Sequence, residues 1–301
     1  MLMTSAPHVS VMPTEVIDYL DLKEGGWYVD TTFGAGGHTR LLLARGVNVL
    51  AIDQDPDTLS FLADDETLSS AMAAGRLRFA AGNFRELERH AFELDVRNGD
   101  GKSIDGVLFD LGVSSMQLDE GDRGFAFRHD GPLDMRMQSQ GESAADVVND
   151  YPFEELAAII FRYGEERHSR RVARRIVDAR ESSPILTTAA LAEVVASAYP
   201  QGPRREHPAR RTFQALRIYV NDELGSLQEG LEAASRVLVP GGRLVAISYH
   251  SLEDRIVKRF MLDSPRMQPL TKRPLQAQEA EVAENPRARS AKLRAGERTA
   301  S

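Results

Sequence analysis

The chain has 301 residues, is 42% hydrophobic and 27% charged, and carries a formal net charge of −8. This is ordinary globular usage, which excludes a chain disordered throughout and allows one large domain or one domain carrying an insertion. Cysteine is absent, which excludes disulfides, thiolate metal sites and a Cys nucleophile; the longest pure apolar run, Leu156 to Phe161, is far too short to span a bilayer, and an N-terminus without a basic or an apolar signal region points to a cytoplasmic protein.

The first half alternates between strand and helix signals. Trp27 to Asp30 is a short apolar strand ending in an acid, followed by the glycine turn Gly34-Ala-Gly-Gly37. His38 to Arg45 reads as a helix, and Val47 to Ile52 as a β-rich run ending at Asp53. Leu77 to Ala80 and Ile104 to Leu111 complete four strands. Strands alternating with helices imply a parallel sheet covered on both faces. Residues 114 to 211 show no strong strand signal but contain the helical stretches Phe153 to Tyr163 and Ser169 to Arg180, which predicts a mostly helical insertion. Phe213, Leu216, Val220, Leu224, Leu227, Leu231, Ala234 and Leu238 then form one apolar stripe, predicting a single long helix. Pro240-Gly-Gly242 would end it, and Leu244 to Ser248 is a fifth strand. Ser251 is the expected cap of a helix beginning at Leu252. The expected division is 1–113 and 212–301 for the sheet domain and 114–211 for the insertion.

Charge is unevenly spread. Arg255 to Ser301 holds 11 Lys+Arg and 5 Asp+Glu, leaving 26 against 40 in the rest. Arg162 to Arg180 and Arg204 to Arg211 are further basic clusters. An acidic protein with local Arg clusters can hold a polyanion, although a solvated helix face gives the same composition.

Parallel α/β sheets bind ligands at the carboxyl ends of their strands. Asp30 with the glycine turn, Asp53, the Gly82-Asn-Phe84 segment and Asp110 all fall there. Asp53 follows Gly34 by 19 residues, a spacing suited to accepting both ribose hydroxyls of a nucleoside. Two details separate the candidate cofactors. The dinucleotide pattern G-x-G-x-x-G needs glycine where Thr39 stands. Asp30, just before the turn, would repel a pyrophosphate and attract the ammonium of a methionyl group. The pattern favours S-adenosyl-L-methionine over a nicotinamide cofactor. None of the seven His shows ligand spacing, so no metal is expected.

These blocks, with several others in the same order, resemble the RsmH (MraW) family. They include Asp30-Thr-Thr-Phe-Gly-Ala-Gly-Gly-His38, Ala51-Ile-Asp-Gln-Asp-Pro56 and Asp110-Leu-Gly-Val-Ser-Ser-Met-Gln-Leu-Asp119. Arg123-Gly-Phe-Ala-Phe127, Asp130-Gly-Pro-Leu-Asp-Met-Arg136 and Tyr163-Gly-Glu-Glu166 follow. The last are His207-Pro-Ala-Arg-Arg-Thr-Phe-Gln-Ala-Leu-Arg217, Ser248-Tyr-His-Ser-Leu-Glu-Asp-Arg-Ile-Val-Lys258 and Asn285-Pro-Arg-Ala-Arg-Ser290. The resemblance implies a class I SAM-dependent methyltransferase (Rossmann-like) α/β sheet with an inserted helical domain for substrate recognition. It implies methylation of the exocyclic N4 of a cytidine in 16S rRNA, presented as free RNA or in the small ribosomal subunit, and it makes a homodimer plausible. Implied cofactor contacts are Gly36, Gly37, His38, Asp53, Phe84, Asp110 and Gln117. Gly36 and Gly37 would admit the methionyl part and Phe84 would wall the adenine; His38 and Gln117 rest on the motif alone.

A cytosine amino group is a weak nucleophile and needs in-line approach and an acceptor for its hydrogens. Asp110 is the candidate catalytic acceptor, with a role confined to the cofactor as the alternative. Phe125, Phe127 and Tyr249 are candidates to stack a base, although aromatics more often serve cores. His250 is a candidate for the base pocket, and Arg136, Arg210, Arg211, Arg287 and Arg289 for RNA phosphates. The rival readings are a methyltransferase acting on a small molecule or protein, a nicotinamide oxidoreductase, and a catalytically silent RNA-binding factor.

Overall fold

A computed structural model of the chain describes residues 10–96, 104–114, 117, 121–138, 140–200, 202 and 206–300. Ser115, Met116, Leu118 and Asp119 of the Asp110–Asp119 motif block, and Arg204 and Arg205 of the second basic cluster, lie outside the described residues.

Seven strands form one sheet: β1 (Trp27–Asp30), β2 (Asn48–Asp53), β3 (Leu77–Ala81), β4 (Ile104–Asp110), β5 (Leu238–Ser248), β6 (Met267–Pro269) and β7 (Lys292–Arg298). Their order is β3-β2-β1-β4-β5-β7-β6. The first five are parallel, and β7 runs antiparallel to β5 and β6. This is the class I methyltransferase form of the doubly wound α/β sheet. The order reverses between β1 and β4, which puts the switch point, and the crevice where such sheets bind ligands, between the ends of these two strands.

The central strands read as continuous apolar runs because both faces are covered. Alternate residues serve opposite cores. Tyr28, Val49, Ala51, Leu108, Val245 and Ile247 pack on one side; Val29, Leu50, Ile52, Val107, Phe109, Leu244 and Ala246 pack on the other. Each fully buried Leu, Ile or Phe contributes about 1.5–3 kcal/mol, so the runs define the sheet's register as well as its stability.

The chain divides into two compact units, 1–112 with 224–301 and 113–223. The second unit has its own core, including Leu156, Ile160, Val172, Ile176, Leu191, Phe213 and Leu216. The return to the sheet unit therefore begins at Leu224 rather than at residue 212. Residues 210–220 pack into the insertion, and the expected long helix is two helices, Arg210–Val220 and Glu223–Val237. Asn221 ends the first: its Oδ1 accepts from Met137 N at 2.7 Å and its Nδ2 donates to Met135 O at 2.8 Å. Asp222 then adopts a left-handed φ of 45°. The single predicted stripe thus serves two cores, Phe213 and Leu216 in one and Leu227 and Leu231 in the other.

Pro240-Gly-Gly242 does not end a helix but lies within β5, where pairing to β4 slips between Ile104 and Gly106. Gly241 has φ 79°, a conformation that suits glycine at such an irregularity. Near the C-terminus, β7 enters the sheet with Leu293 and Ala295 fully buried. Buried Arg294 is held there by Asp254, at 2.7 and 3.3 Å.

Candidate active site

The acids that the sequence places at strand ends meet in the sheet unit. Asp30, at the end of β1, is 1% exposed. Its Oδ2 accepts from Thr39 Oγ1 at 2.8 Å and its Oδ1 from Thr32 N at 3.3 Å. Thr39, the residue that breaks the dinucleotide pattern, is therefore the donor to the acid that precedes the turn. Across the switch point, Asp110 ends β4. Its backbone N–H donates to Thr32 Oγ1 at 3.0 Å, so one threonine loop joins the two strand ends.

His38 is buried in the first turn of the helix Gly37–Leu43. Its Nε2 lies 3.3 Å from Asp110 Oδ2, at ion-pair distance but off the line of a hydrogen bond. Neither ring nitrogen has a hydrogen-bond partner among the described residues. Burial by itself would lower the His38 pKa, but the close approach of the Asp110 carboxylate, its charge and that of Asp30 outweigh it and raise the pKa. Burial pushes Asp30 upward, with His38 and Thr39 opposing. The other Asp110 oxygen accepts from Tyr249 Oη at 2.7 Å. Burial and then the charge of Asp110 hold the Tyr249 phenol well above its ordinary pKa. Tyr249 is thus a partner of the candidate catalytic acid, a role that the sequence did not disclose.

Asp53, at the end of β2, is half-buried. It accepts from Gly34 N at 2.7 Å and Asp55 N at 2.9 Å, which fastens the glycine turn to the second strand. Burial raises its pKa to about 6 against the lowering effect of these bonds. Gly36, the residue before the helix, has φ 76°, and a Cβ there would lie 2.9 Å from the Phe33 ring. Both facts exclude a larger residue. Gly37 is the first helical residue.

Phe84 follows β3 and stands edge-on to Phe109 of β4, with centroids 5.5 Å apart at 88°. A Cβ on Gly230 would come within 2.7 Å of the Phe84 ring, so that glycine makes the ring's room. No sequence pattern marks Gly230. Gln117 belongs to the second unit; it is buried, its Oε1 accepts from Ser114 N at 3.0 Å and its N–H donates to Ser114 Oγ at 3.3 Å.

Several expected residues are committed elsewhere. His250, not Ser251, caps the helix Ser251–Asp263 in a capping box with Glu253, whose Oε2 accepts from Tyr249 N at 2.8 Å and His250 N at 3.2 Å. Phe125 is a core residue at 6% exposure. Arg136 is clamped by Asp134 through contacts of 2.8 and 2.7 Å, and its Nη1 donates to Gly141 O. Arg210 and Arg211 are exposed in the second unit; Arg289 is exposed and Arg287 half-buried on a short turn at Pro286–Ser290.

Comparison with known proteins decides the family. The family model described as the MraW methylase family matches residues 5–299. The chain belongs to this family. It is 56% identical over 293 residues to the ribosomal RNA small subunit methyltransferase H of Deinococcus radiodurans, covering 97% of this chain and 90% of that protein. It is 52% identical over 320 residues to the protein of the same name from Methylobacterium sp. strain 4-46, covering 99% and 92%. Among solved structures, an rRNA methylase from Streptococcus thermophilus aligns over 99% of both chains at 13% identity, with a TM-score of 0.44. No helix among the described residues is long and apolar enough to cross a membrane.

Proposed function

We propose that this chain methylates the exocyclic N4 of a cytidine in the 16S rRNA of the small ribosomal subunit, using S-adenosyl-L-methionine in the cytoplasm. Family membership supports the activity, and the names of its relatives support the RNA acceptor. The observation that carries the site assignment is the set Asp30, His38 and Asp110 across the switch point.

The residues present fit this cofactor. Three strand-end acids and one buried histidine lie about the switch point, a balance that suits a sulfonium and an ammonium and opposes a pyrophosphate. His38 adds two buried ring nitrogens that have no hydrogen-bond partner among the described residues, a state that a polar ligand relieves. When bound, S-adenosyl-L-methionine supplies a methyl group activated on a sulfonium. Gly36, Gly37 and His38 would hold its methionyl part, Asp53 its ribose hydroxyls and Phe84 its adenine. Gln117 is retained as an expected contact on its motif alone.

Asp110 is the residue assigned to the amino group. Its carboxylate accepts an amino hydrogen bond, which orients the N4 lone pair and receives the proton that methylation releases. Tyr249 holds one oxygen of this carboxylate by a hydrogen bond and the His38 ring faces the other at ion-pair distance, which fixes its direction. The second unit is assigned to substrate recognition. The homodimer implied by the resemblance is retained as an expectation for light scattering, which would give twice the 33.3 kDa chain mass.

Incubating the enzyme with methyl-labelled cofactor and small subunits from cells lacking this gene tests the proposal. Label in the RNA fraction supports it; label in ribosomal protein, or none while the cofactor still binds, overturns the acceptor.

A further inference from the structure

The second unit carries an aromatic column that begins in its core and ends in solvent. Phe213 is 3% exposed. Half-buried Phe127 meets it edge-on, with centroids 5.1 Å apart at 72°. His207 lies flat on Phe127, with centroids 4.5 Å apart at 26°, and is exposed. A second bond fixes the imidazole, because His207 Nδ1 accepts from Ala209 N at 3.2 Å. The imidazole is thus stacked on Phe127 through one face, exposed, and already ordered.

Cations flank the column. Arg128 follows Phe127 and is exposed. Arg210 and Arg211 open the helix that holds Phe213 and are exposed as well. Arg210 pairs with Glu206 at 2.5 Å, and Arg211 Nη1 donates to Glu165 O at 3.0 Å. These bonds hold the guanidiniums in place while both side chains stay exposed. A flat, pre-ordered ring among arginines fits an unpaired nucleobase with its phosphates, since every base offers a π-face and every linkage a charge. A core role does not explain it: Phe213 and Phe127 already bury the apolar surface, and an exposed ring adds little to stability.

We infer that His207, stacked on Phe127, is a platform for an unpaired base of the RNA acceptor, with Arg128 on an adjoining phosphate. The inference rests on the RNA reading above and assigns that RNA a contact in the second unit. Two substitutions separate stacking from loop-holding. His207→Phe keeps the ring and loses the Nδ1 acceptor; His207→Asn keeps a side-chain acceptor and loses the ring.

The test measures binding of unmethylated small subunits and the KM for their methylation across a salt series, with thermal melting as the folding control. His207→Asn is expected to weaken binding and raise KM about 5- to 100-fold, the range for one lost base–aromatic stack. His207→Phe should stay within about twofold of the wild type. The slope of log affinity against log salt should not change in either, whereas Arg128→Ala should lower it by about one. Wild-type affinity in His207→Asn, or a loss in His207→Phe equal to that in His207→Asn, overturns the platform while leaving the RNA reading intact. A wild-type enzyme that neither binds nor methylates the subunit overturns both.

Discussion

Asp30 sits at the end of β1 with 1% of its surface exposed, whereas Arg175, in the helix Ser169–Arg180 of the second unit, stands in solvent. That contrast runs through the two units. In the first, Asp30, Asp53 and Asp110 each accept from defined donors, and His38 is buried between two of them. In the second, Arg162, Arg167, Arg170, Arg171, Arg174 and Arg175 are all exposed. Four of them lie against aromatic rings: Arg170 and Arg174 on Phe153, Arg171 on Tyr199 and Arg162 on Tyr163. At Asp30, His38 and Asp53 burial brings shifted pKa values and fixed directions, which suits bond-making chemistry. Exposed charge has reach and is screened by salt, which suits holding a polyanion.

Substitutions in the two units should therefore fail differently. The largest effect belongs to Asp110→Asn. Turnover should fall about 10²- to 10⁴-fold, the usual contribution of a positioned proton acceptor, while cofactor affinity measured by calorimetry changes less than about tenfold. Full turnover with intact cofactor binding would confine Asp110 to a structural part. Gly230→Ala comes next. Its new methyl meets the Phe84 ring at 2.7 Å, which should cost about 1–3 kcal/mol by overpacking and weaken cofactor binding by displacing that ring. A wild-type melting curve and affinity would remove Phe84 from the adenine wall.

Asp53→Asn sharpens the comparison by moving stability and binding in opposite directions. A carboxyl raised to about 6 takes up protons more readily in the folded state. Its contribution is therefore favourable at low pH and is lost as pH rises through about 6. At neutral pH the ionised group costs roughly 3 kcal/mol. Asn avoids this cost but leaves one backbone N–H without its acceptor, a loss of about 1–2 kcal/mol. The variant should therefore unfold at higher urea near pH 7, lose that advantage below about pH 4, and bind the cofactor poorly throughout. Greater stability at pH 4 than at pH 7 relative to the wild type would contradict the sign. The smallest effect is expected in the arginine face. Arg167→Ala and Arg175→Ala should leave stability within about 0.5 kcal/mol and lower the RNA salt slope by about one each.

The sheet's parallel half was legible in the sequence because buried strands announce themselves. Val47 to Asp53 and Ile104 to Asp110 are apolar runs capped by acids, and the sheet places those acids as the runs imply. Strand β7 was hidden because Lys292, Arg294, Glu297 and Arg298 make it read as polar; Arg294 is buried only because Asp254, far away in sequence, neutralises it. The break at Asn221 was hidden for a related reason. Its side chain bonds Met135 and Met137, more than eighty residues away, and a helical stripe carries no sign of such partners. At the site, residue types gave the acids but not their supports. Thr32, Thr39 and Tyr249 act through hydrogen bonds that only the folded strand ends bring about.

The central claim is methyl transfer to one exocyclic nitrogen of an RNA base. It is tested most directly by nuclease digestion and mass spectrometry of 16S rRNA from small subunits that lack this modification, after treatment with the enzyme and methyl-labelled cofactor. The account predicts one labelled nucleoside, a cytidine whose methyl fragments with the amino nitrogen. A label on ring carbon, on ribose or on another base would contradict it.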